Sequence, residues 1–172
     1  MGTRVHDIGD LRLLWSIPIA FALHNLEEGL GVYGMSRNST LPPIWRDAWG
    51  SPAHAPSLFY ILLALITSAA FAAAAFGNIG NPRGRGARIL VLLQTLMLIN
   101  AFWHVCAAIV LRGYAPGVIT AVALNLPLSW MVLRRSWSEH WIPRSLSIGA
   151  GLTMLALHAT LAIVLLGPSV RG

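Results

Sequence analysis

The chain has no lysine and only six acidic residues among its 172. Charged residues make up 10% of it, against about 25% in a soluble globular domain. That shortage excludes the densely charged surface that keeps a soluble domain in solution. A lone cysteine, Cys106, excludes an internal disulfide and leaves the redox compartment open; within an apolar run it is expected to be a small core residue. All twelve basic residues are arginines, and the formal charge is +6. They stand at segment ends without a basic–aromatic patch, which argues against nucleic acid as a partner and for the flanks of a membrane. No fixed-period repeat or low-complexity tail is present.

What is abundant is long hydrophobic sequence. Apolar residues make up 56% of the chain, in five runs. A membrane-spanning helix needs roughly 20 predominantly apolar residues. The runs predict an all-α integral membrane bundle of five transmembrane helices, over about 11–35, 57–76, 87–111, 116–133 and 145–166, in a single domain covering 1–172. Breakers such as NSTLPP, GNIGNPRGRG, GYAPG and WIPR separate them. The first run is too long for a secretory h-region, and its HNLEE centre is too polar for one. Eight arginines fall on the side of the N-terminus, the 2–3 loop and the 4–5 loop, and four on the other. The positive-inside rule then predicts a cytoplasmic N-terminus and an outside C-terminus in a bacterial-type plasma membrane. Trp45 and Trp49 would lie in an outer loop near the interface.

The few polar residues inside these runs fall at one depth. Counted from the outer end of each span, Glu27, His104, Asn125 and His158 lie seven to nine residues in, or about 10–14 Å at 1.5 Å per residue. Because neighbouring spans run in opposite directions, this agreement points to one polar layer in the outer half of the bundle. His24, Glu27 and Glu28 share a helix face as i, i+3 and i+4, as do Asn100 and His104 as i, i+4. Gly151, Met154, His158 and Ala162 form a stripe of modest size on span five, and Ala121, Asn125 and Ser129 one on span four. Gln94 reads as interhelical glue. His6, His54 and His140 lie in or near loops and read as solvated.

Two ionised glutamates side by side in apolar surroundings are costly unless a cation or a shared proton offsets them. His24 and Glu28 have the spacing of two metal ligands one helical turn apart, with Glu27 where the general base of H-x-x-E-H would stand. His24, Glu28, His104 and His158 are therefore the expected metal ligands, for zinc or iron. Glu27 is the expected catalytic base, and Asn100 and Asn125 are expected around the metal or against substrate.

HNLEE at 24–28, NAFWH at 100–104 and YAPG at 114–117 give the chain a resemblance to the HXXEE family of small integral membrane proteins. That family is named for its H-x-x-E-E motif and carries a further histidine and a Y-x-P-G motif. The resemblance implies a membrane enzyme and specifies no reaction; His158 lies outside its motifs. Pro116 preorganises the start of span four. Tyr114 is either an interfacial aromatic or a catalytic phenol.

The expected function is a membrane-embedded, metal-dependent enzyme, with hydrolase-like or oxidoreductase chemistry on a hydrophobic or lipid-like substrate. Two alternatives stand beside it: a metal-free acid–base isomerase or cyclase of a polyprenyl or sterol-like molecule, and a small proton-coupled transporter. Expected partners are membrane lipid and a hydrophobic small molecule, with homo-oligomer formation left open.

Overall fold

In a computed structural model, described here for residues 8–37, 55–81 and 83–166, the chain is all-α, with no strand among the described residues. Among the described residues five long helices follow in chain order: α1 (Ile8–Arg37), α2 (Ala55–Phe76), α3 (Arg85–Leu111), α4, and α5 (Arg144–Leu166). α4 is composite: an α-helical turn Val118–Thr120, a π-helical segment Ala121–Asn125, and an α-helix Leu126–Ser138. These bounds extend the expected spans at six of the ten ends and coincide with them at three, because helical backbone runs on past the apolar residues. The exception is the start of α4, where Pro116 and Gly117 precede the helix instead of opening it. Trp45, Trp49, His6 and His54 lie outside the described residues.

The π-helical segment has a local cause. Pro127 occupies the first turn of the α-helix that follows. It donates no backbone hydrogen bond, and its ring crowds the carbonyl four residues back. A wider turn just before it relieves both problems.

α3 is the central helix, packing on α1, α2, α4 and α5. The hydrophobic core lies at the end where the chain enters α1 and α3: Leu14, Ile17, Phe21, Leu90, Val91, Val132 and Trp141 pack together there. Gln94 donates to Ser129 at 2.8 Å, joining α3 to α4 as expected of a buried amide. Asn25 donates to Thr67 at 2.6 Å, joining α1 to α2. Cys106 corrects the expectation of a core residue: it is exposed, turned away from the helices that α3 packs on.

Among the described residues, two helices are long and apolar enough to cross a membrane: Ser57–Phe76, of mean hydropathy 2.2, and Arg85–Leu111, of mean hydropathy 1.9. α1 has the length, but Asp10, Arg12, Glu27 and Glu28 interrupt its apolar character.

Candidate metal centre

The polar residues gather at the opposite end of α1 from the core. α1 presents His24 and Glu28 one turn apart, and α3 brings His104 to meet them. His24 Nε2 lies 3.9 Å from Glu28 Oε2, and His104 Nε2 lies 3.8 Å from Glu28 Oε1. The two imidazoles meet edge to face, with centroids 4.8 Å apart and planes at 75°. Ligand atoms of His24, Glu28 and His104 all fall within 4.8 Å of one another. Tetrahedral ligands on a first-row divalent ion stand about 3.4 Å apart, so the histidine–glutamate distances of 3.8 and 3.9 Å need only a small contraction. His24 is fully buried, whereas Glu28 keeps 18% of its side chain exposed. Access to the group is therefore from the Glu28 side.

Hydrogen-bond arithmetic fixes which atoms offer lone pairs. Thr120 Oγ1 donates to Glu27 Oε2 at 2.5 Å. A hydroxyl has one proton, so the His24 Nδ1 atom 2.9 Å from the same oxygen must be the donor there. That leaves His24 Nε2 as the unprotonated, accepting nitrogen. Pro116 has no N–H, so its backbone hydrogen bond to His104 is its carbonyl accepting from the ring. His104 Nδ1 is the ring nitrogen on the side of the turn, which leaves Nε2 as the accepting nitrogen there too. Asn100 Nδ2 lies 3.1 Å from both Nε2 atoms, donating to each. Two imidazoles beside a carboxylate could hold a divalent metal, an ion there taking the place of the two bonds from Asn100.

Glu27 has different surroundings. Its carboxylate accepts from the backbone N–H of Ile119 at 3.1 Å and of Thr120 at 2.7 Å. It also accepts from Tyr114 at 3.1 Å, in addition to the Thr120 hydroxyl. The first N–H groups of a helix have no partner within it, and Gly117, the residue before α4, has no side chain to cap them. Glu27 supplies the cap from another helix, at the positive end of the α4 dipole. Sequence reasoning passed over Thr120 and these N–H groups. The available signal was a helix start, PGVIT, with no capping side chain of its own.

The YAPG turn is shaped by the same contacts. Gly117 has φ 84°, and a Cβ there would stand 2.9 Å from His24 Cε1 and 3.1 Å from His104 Cε1. Only glycine lets the turn close over both rings. A Cβ on Gly31 would meet Pro116 Cβ at 2.9 Å, so α1 and the turn touch with no room between them. Burial, then the negative charge of Glu27, pushes the Tyr114 phenol above its ordinary pKa and keeps it a hydrogen-bond donor.

The remaining candidates lie around this group. His158, expected among the ligands, places Nε2 3.2 Å from Asn100 Oδ1 and Nδ1 3.0 Å from the Met154 carbonyl. It reaches the centre through Asn100 and is not one of the three converging ligands. The rings of Trp103 and His158 are 5.2 Å apart. Asn125, at the end of the π-helical segment, is fully buried, and neither atom of its amide has a hydrogen-bond partner among the described residues.

HNLEE, the later histidine and YAPG, far apart in sequence, thus form a single contact network. Residues 15–132 match the sequence family described as proteins of unknown function with HXXEE motif. The chain belongs to the HXXEE-motif family. The match covers α1 from Trp15 and ends at Val132 in α4, so every residue of the HXXEE centre except His158 lies inside it. A relative, the uncharacterized protein YrkK of Bacillus subtilis, is 30% identical over 125 residues, 72% of this chain and 73% of its own. No solved structure matches the chain.

Proposed function

We propose that this HXXEE-family protein is an integral membrane enzyme that holds a divalent metal, zinc or iron, with His24, His104 and Glu28 and acts on a hydrophobic or lipid-like substrate. The observation that carries the proposal is the convergence of His24, His104 and Glu28, with one ligand atom of each within 4.8 Å of the others, and, among the described residues, no arginine pairing with either glutamate. In this reading all five helices cross the bilayer, with the N-terminus in the cytoplasm. Large apolar side chains on the outside support it: Leu65 is 60% exposed, Ile109 70% and Val110 80%, a surface that water would penalise and lipid would not.

When bound, the metal supplies Lewis acidity at neutral pH. The residues divide the remaining work. Glu28 and the two histidines hold the ion. Glu27, saturated by four donors, acts through Thr120 to keep the His24 proton on Nδ1, so its proton-handling role is exerted on a ligand. This differs from the base role expected from the sequence. A carboxylate that orients a ligating histidine through its second ring nitrogen is a recurring feature of metal sites. Tyr114 offers a phenol at the mouth of the turn.

The metal-free alternative needs Glu27 and Glu28 to share a proton. The bonds of Glu27 go to Thr120, Ile119 and Tyr114, which gives that alternative no support. A proton-coupled transporter needs a chain of polar groups across the bilayer, and the HXXEE centre is a single cluster.

Elemental analysis of protein purified without a histidine tag tests the proposal. The expected result is about one equivalent of zinc or iron per chain that survives washing and is lost in a His24→Ala/His104→Ala variant. A folded, metal-free wild type that rebinds neither ion would overturn it.

A further inference from the structure

Away from the HXXEE centre, a groove of about 580 Å³ runs between α3 and α4 to the first residue of α5. Leu98 and Phe102 form one wall, Leu126 and Trp130 the other, and Arg134 and Arg144 close one end. Leu126, Trp130 and Arg134 are successive i, i+4 positions on one helix face, so the apolar wall runs about 12 Å from Leu126 to the guanidinium end. That length is close to one leaflet's share of a hydrocarbon core of about 30 Å.

The charged end is built, and it lacks an anion. Arg144 lies over the Trp137 ring at 5.9 Å, and the same ring is fixed by donating to Ser147 Oγ at 2.9 Å. Among the described residues no carboxylate pairs with Arg134 or Arg144. The acids at this end, Asp10 and Glu139, both bond Arg135, at 2.7 and 2.9 Å. A second groove, of about 540 Å³ between α1 and α2, has a wall of Leu26, Tyr33, Tyr60 and Leu63 and no charged residue. Charge distinguishes the two.

From this we infer a binding site for one phospholipid of net negative charge. Its phosphate sits between Arg134 and Arg144, and one acyl chain lies along Trp130, Leu126 and Phe102. Guanidinium forks suit phosphate oxygens, and a polar headgroup above an apolar slot matches the order of the wall residues. The inference rests on the membrane reading above, which puts this end of the bundle at the cytoplasmic leaflet, where anionic lipid concentrates. It does not depend on the metal.

Native mass spectrometry of the full chain in detergent, titrated with phosphatidylglycerol or phosphatidylcholine, tests it. The expected result is one tightly held phosphatidylglycerol, preferred about 30-fold, the attraction of two arginines for anionic lipid. The preference should vanish in Arg134→Gln/Arg144→Gln and survive in Arg85→Gln/Arg88→Gln, which changes arginines on the same side but outside the groove. Equal binding of the two lipids, or equal loss in both variants, would overturn the site. Displacement of the lipid by inorganic phosphate or glycerol 3-phosphate at equal concentration would overturn the acyl-chain part. Extraction of the chain from membranes by alkaline carbonate would instead sink the membrane reading, an outcome separate from lipid selectivity.

Discussion

A pair of carboxylates lies at each of two levels of α1, Asp10 with Glu139 at the end of α4 at one and Glu27 with Glu28 at the other, and they are balanced differently. At one end Asp10 meets Glu139 of the α4 end through Arg135, at 2.7 and 2.9 Å, and Arg83 reaches the Glu139 carbonyl at 3.4 Å. Permanent cations meet the negative charges there. About 25 Å along the helix, Glu27 and Glu28 face two imidazoles and a set of N–H and O–H donors, with no arginine among the described residues. The first arrangement is electrostatically closed. The second is closed for Glu27, by a helix N-terminus and two hydroxyls, and open for Glu28, whose oxygens stand nearly 4 Å from the two imidazoles and have no ion pair with an arginine among the described residues. A pair of acids left open in this way inside an apolar bundle is an argument for a cation site.

Five variants sharpen that contrast, given from the largest expected effect to the smallest. His104→Ala removes a ligand and should abolish metal binding outright, read by elemental analysis; retention of a full equivalent would place the ion elsewhere. Gly117→Ala forces a side chain into φ 84° and against both histidine rings. It should cost at least about 2 kcal/mol from backbone conformation and crowding, measured by unfolding in denaturing detergent. An unchanged midpoint would mean that the turn does not close on the rings. Asn125→Leu should leave stability unchanged or raise it by about 1 kcal/mol, because it removes two unsatisfied buried polar atoms. If Asn125 also contacts substrate, the same variant loses turnover while remaining folded. Tyr114→Phe removes one of four bonds to Glu27 and should cost about 1 kcal/mol, with metal retained. Arg135→Gln, at the closed end, breaks a pair whose arginine is 39% exposed. It should cost less than about 1 kcal/mol and leave metal affinity unchanged; a change in affinity would couple ends that the account keeps separate.

Much of this centre was legible in the sequence. Residue spacing put His24 and Glu28 one turn apart, and equal depth in antiparallel segments brought His104 and His158 to the same level. Depth alone could not separate a ligand from a neighbour. His158 is at the right level, but its ring is taken up by Asn100 and the Met154 carbonyl. The capping of α4 by Glu27 was not legible, because it joins residues 92 and 93 positions apart, and no local pattern encodes which carboxylate reaches a helix start. The π-helical turn was only half legible: Pro127 announces a disturbance without saying whether the helix kinks, breaks or widens. Cys106 was misplaced because an apolar run of α3 has an outer side as well as an inner one, and hydropathy alone does not distinguish outward-facing from core-facing positions.

The central claim is that the two adjacent glutamates do different work, Glu28 holding the ion and Glu27 holding His24 through Thr120. Metal affinity of Glu28→Gln and Glu27→Gln, measured side by side on tag-free protein by competition with a chelator of known affinity, tests this most directly. The account predicts that Glu28→Gln loses the ion. It predicts that Glu27→Gln still binds one equivalent, weakened by about 10–100-fold as for other groups that orient a ligand. Loss of the ion in Glu27→Gln with full retention in Glu28→Gln would contradict it.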